Sequence, residues 1–428
     1  MSLTPPNYKL RFIDEKIKKY INIFGAVCIE GPKWCGKTWT ALNHANSVFY
    51  VGDPNLSFQN RILASIDPKA ILIGQRPRLI DEWQEVGSIW DAVRFEVDKT
   101  IERGQFILTG SSTPQAKGIL HSGTGRIHKI KMRTMALSES GDSSQEVSLM
   151  QLFSNDIIAQ QTKPTSLDNL IELVVRGGWP MSIGLPKSEY IEIPRSYLNS
   201  IISDDLDKLD GIKRNKMKIR ALIKSLARNV STVVSYKTLK EDIKEFDNEI
   251  INEQLIPEYI EVLERMFIIE EQRSFNPNYR SKDRVAKSPK RHFVDPSLAV
   301  AALGLTHEML LNDLKLFGFL FESIVIRDLK TYSDLYDANV YHYKHFDTNN
   351  ELDAVIELKD GRWIAIEIKL GANQIDNAAK SLLAVKNFLS YDEKASKPCA
   401  LVIICGMSDA AYRREDGVIV VPFTALKP

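Results

Sequence analysis

Short apolar runs alternate with helix-like stretches in the first third of the chain. Residues 26–30 (AVCIE), 78–82 (RLIDE) and 106–112 (FILTGSS) have the length and apolar character of buried strands. Between them lie segments such as 38–45, which has the pattern of the beginning of a helix. Strands separated by helices indicate a parallel sheet with crossover connections, so we predict an α/β domain in residues 1–150.

The middle of the chain is predicted to be mostly helical. Its polar and apolar positions predict three helices and two short strands, near 217–229, 235–243, 253–265, 266–270 and 291–294. Three helices and a two-stranded hairpin suggest a winged-helix domain, which we assign to residues 151–305. That fold can place a helix in the major groove of DNA, but it also serves as a protein–protein or intramolecular module.

The last third combines an apolar helix with two strands of alternating polarity. The helix near 318–329 carries one early acidic residue, Glu322, and the strands 349–358 and 362–369 flank an Asp360-Gly361 turn. We predict an α/β domain in residues 306–428. The register of the hairpin stays open, because a slip of one residue would turn every side chain to the other face.

Composition places the chain among ordinary globular proteins. Its 428 residues are 44% hydrophobic and 26% charged, which excludes a disordered or fibrous chain and allows about three domains. Four cysteines are too few for a disulfide framework, so we expect a reduced, cytoplasmic protein. No apolar run approaches the roughly 18 residues of a membrane span. The beginning of the chain lacks the apolar core of a signal peptide.

Charge is balanced over the whole chain but uneven along it. With 56 Lys+Arg against 55 Asp+Glu the net charge is +1, which excludes a globally basic nucleic-acid binder. Two stretches are strongly basic: 208–228 has eight basic residues and one acidic, and 273–291 has seven and one. Such stretches can contact phosphate backbones. They can equally be a solvated helix face and an exposed hairpin.

A phosphate-binding motif follows the first predicted strand. Residues 31–38, GPKWCGKT, fit GxxxxGK[ST] between a strand and a helix, the context in which this motif is specific. Its backbone N–H groups can face an anion, Lys37 can reach the β- and γ-phosphates, and Thr38 can bind Mg²⁺. The predicted ATP contacts here are Gly31, Pro32, Lys33, Trp34, Cys35, Gly36, Lys37, Thr38 and Trp39. Cys35 is interpreted as a loop residue, with a reactive thiol as the alternative.

Acidic and hydroxyl residues near the next two strands would complete an ATP site. Asp81 is predicted to hold the Mg²⁺ shell and Glu82 to act as the base that orients water, the alternative being an acidic turn. Thr109 or Ser111 is expected beside the γ-phosphate. Arg126 is a candidate arginine finger, in cis or in trans, unless it is a surface arginine.

The C-terminal hairpin carries a second candidate site. If the hairpin is centred on Asp360, then Asp353 faces Glu367, and Lys369 lies beside them on the same face. Two carboxylates on neighbouring strands can bind Mg²⁺, and the metal and lysine together could activate water for attack on a phosphodiester. The alternative is a polar, solvated sheet face.

Across its whole length the chain resembles a large prokaryotic family of AAA-type ATP-binding proteins with a C-terminal domain of unknown function. Between residues 31 and 371 the shared segments are GPKWCGKT, LIDEWQ, FILTGSS, HSGTGRI, RGGWP, SPKRHFVDPSLA, GFLFES and ELDAVIEL…IAIEIKLG. The resemblance implies an ATPase domain, a winged-helix-like middle and a fold similar to the PD-(D/E)XK nucleases. It places Mg-ATP on Gly31, Gly36, Lys37, Thr38 and Asp81, with Glu82 as the base. The residues that match the nuclease pattern are Glu322, Asp353, Glu367 and Lys369, with Leu352 in place of the usual proline.

Three hypotheses follow. The first is an ATP-hydrolysing protein whose Mg²⁺-dependent nuclease-type domain acts on nucleic acid, DNA in preference to RNA, in genome defence or DNA maintenance. The second is an ATP-driven switch whose nuclease-like domain binds a partner or nucleic acid without cutting. The third is an ATPase that remodels protein partners. A homo-oligomer would be required if Arg126 acts in trans.

Overall fold

The computed structural model describes residues 3–112, 121–209, 211–278, 280–281, 284, 287–345, 350–391 and 395–428. The chain divides into two compact units. The first unit comprises Met1–Thr134, Ser203–Arg214 and Glu261–Ile268. The second unit comprises Met135–Ile202, Asn215–Ile260 and Ile269–Pro428.

The first unit is built on a five-stranded parallel sheet. Its strands are β1 (Ala26–Glu30), β2 (Ser47–Tyr50), β3 (Arg78–Asp81), β4 (Phe106–Gly110) and β5 (Ile127–Lys131). Their order across the sheet is β2-β3-β4-β1-β5, and every neighbouring pair is parallel. The helices are α1 (Ile13–Ile21), α2 (Lys37–Leu42), α3 (Asn55–Ile66) and α4 (Ser88–Thr100). The predicted parallel α/β sheet is therefore confirmed.

The apolar run of β1 is explained by burial on both faces of the sheet. Ala26 and Cys28 pack into one hydrophobic cluster, together with side chains of α4. Val27 and Ile29 pack into a second cluster, together with side chains of α1 and α2. A central strand covered on both sides needs apolar residues at successive positions, which is why this segment shows no alternation of polarity.

The remaining elements follow in chain order. The strands are β6 (Val147–Ser148), β7 (Gln160–Gln161), β8 (Ile269–Gln272), β9 (Lys290–Phe293), β10 (Asn339–His345), β11 (Asn350–Glu357), β12 (Trp363–Gly371), β13 (Ala400–Met407), β14 (Ala410–Arg413), β15 (Ile419–Pro422) and β16 (Leu426–Lys427). The helices are α5 (Leu137–Ser140), α6 (Leu149–Ser154), α7 (Leu167–Arg176), α8 (Lys187–Tyr190), α9 (Glu192–Ser200), α10 (Lys216–Arg228), α11 (Tyr236–Asp247), α12 (Leu255–Arg265), α13 (Pro296–Leu303), α14 (His307–Asn312), α15 (Leu314–Leu335) and α16 (Ile375–Ser390). Within the described residues, none of the helices has the length and apolarity needed to cross a membrane.

A seven-stranded mixed sheet organises the C-terminal part of the second unit. Its order is β10-β11-β12-β13-β15-β14-β7. The pairs β12–β13 and β13–β15 are parallel, and the others are antiparallel. Helix α16 covers this sheet by packing Ala378, Leu382 and Val385 against a core that includes Val355 and Leu401. The combination of helices and strands predicted for residues 306–428 is therefore observed.

The three helices and two strands predicted for the middle are also present, as α10, α11, α12, β8 and β9. The cap predicted for α11 is observed, because the Ser235 hydroxyl accepts the Thr238 N–H at 3.0 Å. Strands β8 and β9 form an antiparallel pair in which Gln272 lies opposite Lys290.

Two of the segments that carry the family resemblance meet in a buried ion network. Arg327 of α15 is 1% exposed at its side chain and lies 3.0 Å from Asp295 Oδ2 and 2.7 Å from Asp328 Oδ1. Asp295 belongs to SPKRHFVDPSLA, and its Oδ2 also accepts the N–H of Gly178, which belongs to RGGWP, at 2.9 Å. A Cβ on Gly178 would lie 2.1 Å from the Met135 carbonyl oxygen, so this position requires glycine. The segment RGGWP, and the residues VDP within SPKRHFVDPSLA, therefore have a structural role.

The two basic stretches are only partly exposed, so contact with phosphate and a solvated surface both stay open for their exposed residues. Lys208, Lys213, Arg220 and Lys224 are exposed in the first stretch, and Arg273 and Arg280 in the second. Lys290 and Arg291 are buried, at 2% and 5% exposure, and Arg284 forms a bidentate pair with Glu357. In α10, Arg228 is paired with two aspartates, so that part of the helix face is neutralised. The residues of the two stretches that lie outside the described part are Asp210, Tyr279, Lys282, Asp283, Val285 and Ala286.

Candidate functional site

The loop between β1 and α2 makes a tight turn that depends on its glycines. Gly36 has φ of 105°, a left-handed conformation that suits glycine, and it precedes α2 directly. A Cβ on Gly31 would lie 2.2 Å from the Met132 carbonyl oxygen, so only glycine fits there. The loop therefore brings its backbone close to a neighbouring segment and delivers Lys37 at the first position of the helix.

The Lys37 ammonium is held at the inner side of this loop. The residue is 4% exposed, and Nζ donates to the Pro32 carbonyl at 2.8 Å. Phosphate oxygens are charged and are stronger acceptors than a carbonyl. The loop thus keeps a buried cation beside the backbone that would surround an anion.

A carboxylate and two hydroxyls converge beside the loop. Asp81, the last residue of β3, accepts from Thr38 Oγ1 at 2.8 Å and from Thr109 Oγ1 at 2.6 Å, both at Oδ1. Burial raises the pKa of Asp81, and the two hydroxyl bonds oppose this rise. The convergence arises because β3 and β4 are neighbouring parallel strands whose carboxyl ends lie at the same edge.

Glu82 is held by hydroxyl and amide groups. It has φ of 57°, a conformation that is rare for a residue with a side chain and costs about 1–3 kcal/mol. Its N–H donates to Thr109 Oγ1 at 3.1 Å, and its Oε2 accepts from Ser111 Oγ at 2.9 Å and from the Gln84 amide. Gln84 was missed by the sequence analysis, although it lies within the quoted segment LIDEWQ.

The other loop residues have different environments. Lys33 pairs with Asp205 at 2.7 Å, whereas Trp34 and Trp39 are about half exposed. Cys35 is fully buried, and burial raises the pKa of its thiol, which argues against the reactive-thiol alternative. Arg11, which the sequence analysis also missed, donates from Nη1 to the Cys35 carbonyl at 2.9 Å. Arg11 lies 24 residues before Cys35 in a segment without a motif, so the sequence offered no signal for this contact.

Arg126 lies at the opposite end of the sheet from the loop. It precedes β5, whose first residue, Ile127, pairs with Ala26 at the start of β1, whereas the loop follows the end of β1. Five strand residues separate these two edges by about 16 Å, and the guanidinium pairs with Asp98 at 2.7 Å. The prediction of an arginine finger acting in cis is therefore wrong. A role in trans stays a prediction.

In the C-terminal sheet the hairpin is centred on Asp360, the register that the sequence allowed but left open. Ala354 pairs with Ile366, and Glu357 with Trp363. Beyond Ala354 the ladder is interrupted, because the Asp353 carboxylate accepts the Ile368 N–H at 2.8 Å.

Asp353, Glu367 and Lys369 lie together, as that register requires. Lys369 Nζ is 3.2 Å from Asp353 Oδ2 and 2.5 Å from Glu367 Oε2. Burial and the neighbouring Asp353 raise the pKa of Glu367 to about 8. Burial would also raise the pKa of Asp353, but Lys369 and Lys290 outweigh it and hold that pKa below its usual range.

Glu322 reaches this site through a second lysine. Its carboxylate lies 2.9 Å from Lys290 Nζ, which is also 3.2 Å from Glu351 and 3.7 Å from Asp353. Burial raises the pKa of Glu322 to about 8, although Lys290 opposes the shift. Lys290 and Glu351 were missed as site residues, because the local sequence around Lys290 has the character of a basic surface. The available signal was its place in SPKRHFVDPSLA. We use the name carboxylate–lysine site for four carboxylates and two lysines: Glu322, Glu351, Asp353, Glu367, Lys290 and Lys369.

The carboxylate–lysine site offers oxygen ligands of the type that Mg²⁺ prefers. Among the described residues, no group of three or more His, Cys, Asp or Glu side chains is arranged to hold a metal ion. Asp353 and Glu367 offer two carboxylates, both in contact with the Lys369 ammonium. Mg²⁺ commonly binds through one or two carboxylates and keeps several of its waters, so this donor set fits Mg²⁺.

Family models match three consecutive parts of the chain. Residues 24–141 match an AAA domain. Residues 167–309 and 317–426 match two domains of unknown function, DUF8612 and DUF4143. The chain therefore carries an AAA-type ATPase domain with the P-loop fold on its parallel sheet. No curated protein sequence matches the chain.

Several solved structures are similar to large parts of the chain. A Walker-type ATPase of Pyrococcus abyssi is 12% identical, with a TM-score of 0.41, over 70% of this chain and 99% of that chain. A RuvB variant of Thermotoga maritima is 15% identical, with a TM-score of 0.29, over 64% and 94%. AMPPCP-bound DnaA from Aquifex aeolicus is 12% identical, with a TM-score of 0.26, over 58% and 86%.

Proposed function

We propose that the AAA-type domain hydrolyses Mg-ATP at the loop formed by residues 31–38. The observation that carries this proposal is the convergence of Thr38 and Thr109 on Asp81, at 2.8 and 2.6 Å, next to the buried Lys37. Thr38 and Asp81 would hold Mg²⁺, and Lys37 would bind the β- and γ-phosphates. The loop residues from Gly31 to Trp39, together with Thr109 and Ser111, would complete the ATP site.

Glu82 is the proposed base that orients the attacking water. In the structure Ser111 and Gln84 both donate to one oxygen of its carboxylate, Oε2, and a carboxylate has further acceptor positions for the attacking water. Glu82→Gln should keep ATP binding and lower kcat by about 10²-fold or more, because the amide cannot accept the proton. Measurements of ATP affinity and steady-state turnover check this. Glu85→Gln, at an exposed position paired with Arg61, is the matched control, and a normal kcat for Glu82→Gln would remove Glu82 as the base.

We propose that the C-terminal part cleaves nucleic acid, with DNA preferred over RNA. Asp353 and Glu367 would hold Mg²⁺, which when bound supplies a polarised phosphodiester and an activated water. Lys369 lies within 3.2 Å of both carboxylates and would stabilise the charge that develops on the phosphate. Glu322 would act through Lys290, which it contacts directly.

Cleavage of single- and double-stranded DNA and RNA, with Mg²⁺ or Mn²⁺ and with or without ATP, tests this proposal. Wild type should cut, and Lys369→Ala should lose about 10²-fold or more of the rate, since one preorganised charge is removed. Lys359→Ala is the matched control, because Lys359 is 70% exposed in its side chain and lies at the other end of the hairpin. Equal cutting by wild type and Lys369→Ala would indicate contamination and would contradict the assignment.

One observation favours a second function, an ATP-driven switch whose C-terminal part binds a partner or nucleic acid without cutting. The carboxylates are already paired with Lys290 and Lys369, so their charges are compensated within the protein. Inertness of the wild type on every substrate above, together with retained nucleic-acid binding, would support this alternative.

We also propose a division into three domains, at 1–150, 151–305 and 306–428. The three family matches support this division, because they begin and end close to these boundaries. A winged-helix arrangement of the middle domain and a nuclease-like fold of the last domain belong to the same proposal. Arg126 would act only between subunits, which requires a homo-oligomer.

A further inference from the structure

A buried arginine from the beginning of the chain contacts the backbone of the phosphate loop, residues 31–38. Arg11 is 6% exposed, and its Nη1 donates to the Cys35 carbonyl at 2.9 Å. Its Nη2 donates at 3.0 Å to the carbonyl of Arg133, which lies two residues beyond the end of β5. A guanidinium presents its donors in a rigid, planar fork. One side chain therefore ties the phosphate loop to the segment that follows β5.

The backbone of Arg11 is fixed by a second set of hydrogen bonds. Its N–H donates to Asp14 Oδ2 at 2.7 Å. Asp14 belongs to α1 and is 1% exposed, and the same oxygen accepts the Tyr8 hydroxyl at 2.8 Å. The other oxygen, Oδ1, lies 2.5 Å from Nε2 of His44, which follows α2. The arginine is thus connected both to the helix before β1 and to the end of the helix after the loop.

The contact with the Cys35 carbonyl sets the direction of the next N–H group. Cys35 and Gly36 share one peptide group, and in a planar trans peptide the C=O and the N–H point in opposite directions. Gly36 has φ of 105°, and glycine has wide conformational freedom, so this peptide group can rotate with little steric penalty. A donor on its carbonyl restricts that rotation. It turns the Gly36 N–H away from Arg11.

We propose that Arg11 is a positioning residue of the ATP site, which holds the Cys35 carbonyl so that the Gly36 N–H stays directed at the phosphates. The proposal rests on the function proposed above, in which the loop binds Mg-ATP. Successive backbone N–H groups form a concave binding site for an anion. Such a site binds more tightly when its donors are oriented before the anion arrives. In this role Arg11 acts through the loop backbone and contacts no phosphate itself.

Amide NMR of the full chain can observe the Gly36 N–H directly. The sequence contains two Cys-Gly pairs, Cys35-Gly36 and Cys405-Gly406, so labelling cysteine with ¹³C and glycine with ¹⁵N isolates two signals. Gly406 lies in β13 of the second unit and is the internal control. In wild type, Mg-ADP should shift the Gly36 amide proton downfield, because its N–H gains a charged acceptor. The Gly406 signal should stay in place.

Replacement of Arg11 should change this response. In Arg11→Met, which removes both donors, the downfield shift of Gly36 should be reduced or lost even at saturating Mg-ADP. Affinity for ATP should fall by about 10-fold or more, the equivalent of one well-made hydrogen bond to a charged group. Arg11→Lys keeps one charged donor and should restore part of both. A side chain that only stabilises the fold would leave the shift at saturation unchanged.

The matched control is Arg103→Met. Arg103 also donates to a backbone carbonyl, that of Asn22, at 3.3 Å, but its side chain is exposed. It lies before β4, at the edge of the sheet opposite the phosphate loop. This variant should bind ATP like wild type and show the wild-type shift of Gly36.

The two proposals fail in different ways. A wild-type Gly36 signal that Mg-ADP does not move overturns the ATP site and the role of Arg11 together. A wild-type response, combined with the same shift and the same ATP affinity in folded Arg11→Met, overturns the role of Arg11 alone. If Arg11→Met does not fold, Arg11→Gln takes its place under the same criteria, because its side chain is polar but shorter than that of arginine.

Discussion

Lys37→Ala should reduce ATP turnover by at least about 10³-fold, the largest effect expected of any single change in the first unit. Lys37 is a buried cation that would contact the transferred phosphoryl group, where charge develops in the transition state. Its removal also costs affinity, because phosphate contacts to a desolvated charge are stronger than those to neutral donors. Steady-state hydrolysis and fluorescent-nucleotide binding measure the two losses separately.

The matched control for this change is Lys18→Ala. Lys18 lies in the same unit, but its side chain is 57% exposed and pairs with Glu15 at 3.1 Å. Such a surface pair contributes about 0–1 kcal/mol, so the control should hydrolyse ATP at the wild-type rate. Turnover that survives Lys37→Ala would show that residues 31–38 are not the phosphate site.

Arg327→Met should destabilise the second unit by about 3–5 kcal/mol. Arg327 compensates two aspartates, Asp295 and Asp328, whose side chains are 0% exposed. Removing the guanidinium leaves both carboxylates buried without their cation. Their other partners are neutral donors, which cannot replace the charge. The Gly178 N–H and the Ser297 hydroxyl donate to Asp295, and the Leu137 N–H and the Tyr332 hydroxyl donate to Asp328.

Thermal unfolding measured by calorimetry checks this expectation. For a unit of this size the midpoint should fall by roughly 6 to 20 °C. Arg362→Met is the control, because Arg362 is 51% exposed in its side chain and pairs with Asp360 at the surface, so its midpoint should change by about 1–2 °C at most. Equal midpoints for Arg327→Met and wild type would show that the network does not support the unit.

Local sequence was sufficient to predict structures that are formed by residues close together along the chain. The strand, glycine-rich loop and helix at residues 26–42 are contiguous, and each is required by its own residue types. The Asp360-Gly361 turn predicted the hairpin itself, whereas its register stayed open and is seen in the structure to be centred on Asp360. That register is enough to bring Asp353 and Glu367 together on neighbouring strands.

Only the tertiary structure decided the properties that depend on contacts between residues distant along the chain. Local sequence places Lys290 in a basic stretch, and only packing reveals that it is buried among carboxylates from α15 and β11. The spacing of Arg126 suited an arginine finger, yet the parallel pairing of β5 with β1 puts it at the far edge of the sheet. Burial and strand order are set by contacts between segments far apart in sequence. The sequence by itself therefore determined which chemical groups this protein carries and how residues close together along the chain are arranged. The fold determined which groups meet and which charges are removed from water.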